Sequence, residues 1–193
     1  MLELAVLGLL KERSMHGYQL KKSLSDTLGP FWQVSYGALY PALKRLRTQE
    51  AVEQVYPKTQ VGRRRNVYRI TGRGEELFAE LLAKGGERET ADDNGFRVRL
   101  AFFRYLKPDA RIGVLERRKA ALAVRLSELR DRLTSPQQQP ADGYTLSLMQ
   151  HGLDSTERDI TWLDGMIEAE RRATSNPRRA RKTTAGTKKE GTG

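Results

Sequence analysis

Residues 35–47 read SYGALYPALKRLR, and this stretch decides how the rest of the sequence is interpreted. Leu39, Leu43 and Leu46 recur at intervals of four and three residues, the spacing that places side chains on one face of an α-helix. Ser35 precedes the run and is a residue type that caps helix N-termini. We therefore predict a short amphipathic helix whose leucines pack inward and whose other side chains face solvent.

Two further helices are predicted before this stretch. An apolar run between Leu2 and Leu10 predicts a buried first helix. Ser14 is the candidate cap of a second helix, which carries leucines at helical spacing and stops at Gly29 and Pro30. The stretch that opens this section is therefore the third helix of the chain.

A hairpin and a fourth helix are predicted after it. Residues 51–56 and 66–70 are short and rich in Val and Tyr, and the polar loop between them completes a two-stranded β-hairpin. Thr71 is placed to cap the fourth helix. Two glycines at 85 and 86 then open a polar segment that is typical of a linker.

The second half of the chain has no strand signal. The run from Asp109 to Leu133 carries apolar residues three, four or seven positions apart, a narrow stripe that is typical of a coiled-coil-like seam. A final helix from Tyr144 to Arg172 carries a similar stripe. Two such helices bury their apolar faces poorly by themselves, so we expect a second copy of the chain to cover them in a C2 homodimer.

These elements predict a mainly α-helical protein with a small β-hairpin wing. Three helices, a hairpin and a fourth helix follow the order of a winged helix-turn-helix, in which the third helix enters the major groove. We expect this domain at residues 1–84, a linker at 85–95, a helical dimerisation domain at 96–172 and a disordered basic tail at 173–193.

The net charge of +11 is concentrated in the two ends of the chain. Residues 1–83 carry a net +5, residues 84–172 a net +1 and residues 173–193 a net +5. This distribution favours a nucleic-acid-binding protein with a separate, nearly neutral assembly domain. A charge that serves only solubility explains the composition equally well.

Composition argues against several classes of protein. The chain has no cysteine and only two histidines, His16 and His151, so we expect no disulfide, no metal site and no cofactor. It also lacks a nucleophile–base pair and a phosphate-cradling glycine loop, which disfavours an enzyme. No apolar run approaches the roughly 20 residues of a membrane span, and no basic segment opens a signal peptide. We expect a soluble, cytoplasmic protein.

The third helix and the hairpin loop carry the candidate DNA-binding side chains. Small residues allow close approach to DNA, and tyrosine hydroxyls reach phosphates. Four basic residues within eight positions of the loop repel one another unless phosphates or a minor groove relieve them. The candidates are Ser35, Tyr36, Gly37, Ala38, Tyr40, Lys44 and Arg47 on the helix, and Lys58, Arg63, Arg64 and Arg65 in the loop.

Simpler interpretations stand beside this one. Tyr36 and Tyr40 are four residues apart, so one of them packs inward if the apolar face is broad. The loop arginines are a solvated surface in an arbitrary protein. Trp32 and Trp162 line a ligand pocket in one interpretation and pack in a core in the other.

The first domain resembles the PadR-like transcriptional regulators. The resemblance rests on the blocks MHGYQL at 15–20, SYGALYPALKRL at 35–46 and RRNVYRIT at 64–71, which follow one another at the spacing of the family. It implies a dimeric repressor in which Tyr36, Gly37, Leu39 and Tyr40 address the operator while the wing holds the DNA backbone. It also implies that a small ligand or a stress signal releases the repressor in many members.

The sequence departs from the family after the third helix. Gln49, Glu50 and Ala51 stand where the family often has a glycine that ends the helix in the left-handed region. A residue other than glycine costs roughly 1 kcal/mol there, so we expect a turn of different construction.

Two hypotheses on function follow from these observations. The first is a repressor that binds a palindromic operator as a homodimer. The second is a basic structural protein that coats DNA without sequence preference. A footprint separates them, because a coating protein protects no discrete site.

Overall fold

The computed structural model describes residues 1–29, 32, 34–55, 66–83, 92–135 and 142–175, and the chain divides into the compact units Met1–Leu106 and Lys107–Gly193. The first unit contains α1 (Leu2–Glu12), β1 (Met15–His16), α2 (Gly17–Leu28), α3 (Tyr36–Thr48), β2 (Val52–Val55), β3 (Val67–Ile70), α4 (Gly72–Ala83), α5 (Asp93–Ala101) and a 3-10 turn (Phe103–Tyr105). The second unit contains α6 (Pro108–Thr134) and α7 (Gly143–Ser175). The mainly helical fold class with a small sheet is confirmed.

The first helix is the centre of the first unit. α1 packs against α2, α3, α4 and β3, and every residue from Leu4 to Leu10 is buried. The leucines of α3 at positions 39, 43 and 46 are buried as well. Both predictions from apolar spacing are therefore confirmed.

The sheet has one strand more than the predicted hairpin. The order is β1-β3-β2 with antiparallel pairing, and Met15 lies opposite Tyr68 while Val52 lies opposite Ile70. β1 has only two residues, which is too short to produce an alternating pattern in the sequence. The loop that joins β2 to β3 lies outside the described residues.

The cap of α2 is His16, so the prediction of Ser14 is wrong. The His16 ring nitrogen Nδ1 accepts a hydrogen bond from the Gln19 backbone N–H at 3.2 Å, and the Gln19 side chain accepts one from the His16 N–H at 3.1 Å. This reciprocal pair is a capping box with histidine in place of the usual serine or threonine. β1 separates Ser14 from the helix, which leaves the serine too far away to cap it.

The turn after α3 keeps the left-handed backbone without a glycine. Glu50 has φ of 57°, and it is the only residue other than glycine with positive φ in the part of the chain that the structure describes. The Ala51 N–H donates to the Leu46 carbonyl at 2.9 Å, and the Thr71 hydroxyl donates to the Glu50 carbonyl at 2.6 Å. The turn thus has the left-handed residue of the family, and the expectation of a different construction is wrong. The two hydrogen bonds hold Glu50 in this strained conformation.

Replacing Glu50 with glycine should stabilise the first unit. Glycine adopts positive φ without the steric cost that other residues carry, so we expect Glu50→Gly to raise the free energy of unfolding by about 1 kcal/mol. Gln49→Gly is the matched control, because Gln49 has φ of −84° and gains nothing from glycine. Thermal or urea unfolding should show opposite signs for the two variants. If Glu50→Gly lowered the free energy of unfolding, the claim that Glu50 is strained would be wrong.

The start of α4 lies against this turn. Thr71 caps α4 as predicted, because its Oγ1 accepts from the Gly74 N–H at 3.0 Å. A Cβ added at Gly74 would lie 2.0 Å from the Ala51 carbonyl oxygen, which is a backbone atom and cannot swing away. Gly74 therefore permits the close approach of α4 to the end of α3.

Gly74→Ala should destabilise the fold, whereas Gly72→Ala should not. We expect a cost of about 1–3 kcal/mol for the variant at 74, since α4 must shift away from Ala51. A Cβ at Gly72 meets nothing within 4 Å, so alanine there should be neutral or slightly stabilising. Denaturant unfolding of the two variants tests this contact, and equal midpoints would count against it.

Helix α5 and the 3-10 turn belong to the first unit, which differs from the predicted domain boundaries. A Cβ added at Gly8 of α1 would lie 2.5 Å from the Phe102 ring, and Phe102 meets Phe78 edge to face with ring centroids 5.8 Å apart. The helix starts at Asp93, inside the predicted linker 85–95, and Asp92 caps it through the Gly95 N–H. Residues 96–106 therefore complete the core of the first unit, whereas the sequence placed them with the second domain.

The second unit pairs the two longest helices in opposite directions. Arg111 pairs with Glu170 at 3.3 Å near the start of α6, and Arg130 pairs with Glu157 at 2.5 Å near its end. Leu115, Leu122, Leu163 and Ile167 are among the buried residues of this pair. The helices in the described ranges lack the combination of length and apolar character that a membrane crossing requires.

α7 begins one residue before its predicted start and ends three residues after its predicted end. The Asp142 carboxylate precedes the helix and accepts from the Thr145 N–H, the Thr145 hydroxyl and the Tyr144 N–H. These hydrogen bonds lower the pKa of the Asp142 carboxyl from its ordinary value, with the Thr145 backbone contributing most. α7 continues to Ser175, so residues 173–175, predicted as the start of a disordered tail, are helical. The remainder of that predicted tail lies outside the described residues.

Candidate nucleic-acid interface

The third helix has one buried and one exposed side. Ser35 caps it as predicted, because its Oγ accepts from the Ala38 N–H at 3.1 Å. Ser35, Tyr36, Gly37, Ala38, Tyr40, Lys44 and Arg47 are all exposed. Leu39 is fully buried, so its implied role at the operator is wrong for this chain and its place is in the core.

A single line of residues lies farthest from the core. An α-helix turns 100° per residue, which places Gly37, Pro41, Lys44 and Thr48 within a narrow arc opposite the buried leucines. We call these four residues the outer strip of α3. All four are exposed, so the strip is the part of α3 that reaches deepest into any groove that the helix enters.

Two residues of the outer strip are poor helix formers. Glycine in a helix interior costs roughly 1 kcal/mol relative to alanine, and an internal proline costs up to about 3 kcal/mol. Gly37 has ordinary negative φ, and the nearest atom to an added Cβ is the Ser35 Oγ at 3.7 Å. Packing against the described residues of the first unit therefore does not require a glycine at 37.

The two tyrosines flank the outer strip on one side. Tyr36 is 38% exposed and Tyr40 is 49% exposed, so neither ring packs inward. Their ring centroids lie 6.0 Å apart in a stacked arrangement, and the Lys21 Nζ lies 4.3 Å from the Tyr36 centroid. A Cβ at Gly17 would lie 2.9 Å from the Tyr40 hydroxyl oxygen, which places Tyr40 against α2. The tyrosines thus join α2 and α3 into one exposed surface.

Sequence reasoning missed Lys21. Its ammonium adds a cation beside the two tyrosines, at a distance that permits attraction by the ring. Tyr18, which is exposed, lies three residues earlier in α2. That helical spacing was the available signal, but nothing in the sequence showed that this side of α2 faces Tyr36.

The basic residues of α3 divide into paired and unpaired side chains. Arg45 donates from Nε to the Glu3 carboxylate of α1 at 2.7 Å. Lys44 and Arg47 form no ion pair with any residue that the structure describes, and both border a shallow concavity beside β2. Lys44 and Arg47 are therefore free to contact an external anion, whereas Arg45 is occupied with holding α3 to α1.

The candidate wing residues Lys58, Arg63, Arg64 and Arg65 lie outside the described residues. The strands that lead into and out of the loop are described, and β2 and β3 pair from Val52 with Ile70 to Val55 with Val67. Contact of these four residues with DNA stays a prediction.

The two tryptophans occupy different surroundings. Trp32 is partly buried, and its buried Nε1 has no hydrogen-bond partner among the residues that the structure describes. Trp162 is 49% exposed on α7 beside Asp154, Glu157, Arg158 and Thr161, so it does not belong to the core of the second unit.

Comparison with known families finds two models that match successive parts of the chain, and the second match begins inside the first compact unit. The model of the transcriptional regulator PadR-like family matches residues 6–80, which span α1 to α4 and include the outer strip. Residues 6–80 therefore form a domain of the PadR-like family of transcriptional regulators. A second model, the C-terminal part of the virulence activator alpha family, matches residues 94–170.

The individual PadR-like relatives have low sequence identity to this chain. The negative transcriptional regulator PadR of Bacillus subtilis is 25% identical over 177 residues, which cover 86% of this chain and 95% of the relative. The crystal structure of B. subtilis PadR with operator DNA is 19% identical, covers 88% of this chain and 98% of that chain, and has a TM-score of 0.42. The structure of the same protein with p-coumaric acid covers the same shares at 19% identity and a TM-score of 0.39.

Proposed function

We propose that this PadR-like chain is a sequence-specific DNA-binding repressor that acts as a homodimer on a palindromic operator. α3 enters the major groove in this proposal, and the loop between β2 and β3 contacts the DNA backbone. The observation that supports it most directly is the exposure of the outer strip, which contains the unpaired Lys44, beside the two tyrosines and the unpaired Arg47. The B. subtilis relative is named a negative regulator, which favours repression over activation.

The charges around α3 suit a polyanion. Lys44 and Arg47 stand on the exposed side of α3, and Lys21 extends the positive charge onto α2. Each cation that neutralises a phosphate releases a condensed counterion, so affinity gains a contribution that falls with salt. Tyrosine hydroxyls at 36 and 40 supply neutral hydrogen bonds to the same backbone.

The alternative is a protein that coats DNA without sequence preference. It explains the basic residues but not the two uncharged, helix-weakening residues of the outer strip. A coating protein needs cations, whereas the outer strip has two residues that weaken the helix and carry no charge. We therefore favour readout of sequence.

We also propose that the protein acts in the cytoplasm as a regulator and not as an enzyme, and that a small molecule or a stress signal releases it, as its family suggests.

The first experiment is selection of bound fragments from genomic DNA, followed by footprinting. Repression of a specific operator predicts a discrete protected site with two related half-sites, because a homodimer presents α3 twice. Continuous protection that follows protein concentration would support the coating alternative. The DNA beside the reading frame is the natural starting fragment.

Lys44→Ala and Arg45→Ala should differ although the two residues are neighbours. Lys44→Ala removes a free cation, so affinity should fall for all sequences and the slope of log K against log salt should become shallower by about 1. Arg45→Ala loses the pair with Glu3, and its salt slope should stay unchanged. Fluorescence anisotropy at several salt concentrations measures both. Identical slopes would contradict the proposed docking of α3.

The proposed dimer uses the exposed face of α7. Tyr144, Leu148 and Trp162 fall on one face of α7, and Leu148 is 71% exposed. The buried residues Leu163 and Ile167 lie on a different face, so the pairing with α6 leaves this stripe uncovered. A second copy that covers it removes apolar surface from water.

Leu148→Glu should therefore weaken the dimer by at least tenfold in Kd, because a carboxylate would be buried in the interface. Ser127→Glu adds the same charge to an exposed position of α6 and serves as the control. Sedimentation velocity over a concentration series measures the equilibrium. Dimers of unchanged stability in the Leu148 variant would exclude this face as the interface.

A further inference from the structure

The carbonyl oxygen of Gly37 lacks its helical donor. In an α-helix the N–H of each residue donates to the carbonyl four residues earlier, and the residue four positions after Gly37 is Pro41. Proline has no N–H, and its ring crowds the carbonyl of residue i−4. Gly37 therefore carries a carbonyl without its usual helical donor, next to an apolar ring, and both residues belong to the outer strip of α3.

Nothing among the described residues of the first unit explains either residue. Gly37 has negative φ, and an added Cβ would meet only the Ser35 Oγ, at 3.7 Å. This differs from Gly74 and Gly8, where a Cβ would collide with Ala51 or Phe102. Pro41 is exposed and weakens the helix in which it stands. Residues that break local rules without benefit to the fold are expected at functional positions.

The two groups together match one base pair in the major groove. A carbonyl oxygen accepts a hydrogen bond and donates none, so it favours an amino group and is repelled by the O6 and N7 acceptors of guanine. An apolar ring favours a methyl group. The A·T pair presents the adenine N6 amino group and the thymine C5 methyl group in the major groove, whereas the G·C pair has no methyl group.

We propose that Gly37 and Pro41 read an A·T pair in each half-site of the operator. The Gly37 carbonyl accepts from the adenine amino group, and the Pro41 ring contacts the thymine methyl group. The absence of a side chain at 37 lets the backbone approach the base edge. This inference rests on the proposed function, and it assigns sequence discrimination to Gly37 and Pro41 while the tyrosines and cations bind the DNA backbone.

Pro41→Ala tests the pair in the protein. Alanine supplies the N–H that occupies the Gly37 carbonyl and removes the ring, so the variant should unfold at the same temperature as the wild type or higher. We expect the preference for A·T over G·C at one position of each half-site to fall from about tenfold towards none in bound-sequence selection. Gln49→Ala, exposed at the end of α3, is the control and should keep the preference.

Modified operators test the pair in the DNA. Uracil in place of thymine removes only the methyl group, and 2-aminopurine in place of adenine moves the amino group out of the major groove. Each substitution at the same position should weaken the wild-type protein several-fold and leave Pro41→Ala unaffected. Gly37→Ala should lower operator affinity without lowering the unfolding temperature, since its methyl group stands between the helix and the base edge.

The outcomes separate this inference from the proposed function. A discrete wild-type footprint with an unchanged A·T preference in Pro41→Ala overturns the inference alone. Equal sensitivity of wild type and Pro41→Ala to uracil and 2-aminopurine overturns it as well. A wild-type protein that protects no discrete site overturns both the inference and the proposed function.

Discussion

Burial of three leucines of α3 is the constraint on which the rest of the first unit depends. Leu39, Leu43 and Leu46 are almost completely removed from solvent, and each contributes roughly 1.5–3 kcal/mol when it is buried. α1 packs against α3, and Arg45 pairs with Glu3 across the same contact. Together these contacts fix the rotation of α3 about its own axis. The exposed side chains follow from that rotation, because helical periodicity leaves them no other direction.

The far end of α3 is fixed by backbone contacts in place of leucines. Glu50 adopts the left-handed conformation, its carbonyl accepts from Thr71, and the Ala51 carbonyl lies where a side chain at Gly74 would stand. One short segment thus joins α3, the sheet and α4. β2 starts beside this junction at Val52 and β3 ends beside it at Ile70, so the junction fixes the position of both strands relative to α3.

Regular features of this fold could be predicted from the sequence, and features that depend on distant residues could not. Apolar spacing identified the helices, and Ser35 and Thr71 were recognised as caps because side-chain capping is local. β1 escaped notice because its two residues gain their conformation from pairing with β3. The membership of α5 in the first unit depends on Phe102 packing against Gly8, nearly a hundred residues away. At the candidate site, the sequence supplied the exposed residues of α3 but not the placement of Lys21 beside Tyr36.

The position of Lys21 also affects the side-chain entropy that this lysine loses when it binds a ligand. A lysine on a free surface samples many rotamers, and fixing it on a ligand costs side-chain entropy. The Lys21 ammonium already rests over the Tyr36 ring, 4.3 Å from its centroid, while the ring itself stacks with that of Tyr40. The Lys21 side chain is therefore already partly ordered before an anion binds. If Lys21 binds an anion, the two stacked rings lower the entropy cost of that step, and this effect does not depend on the tyrosine hydroxyls.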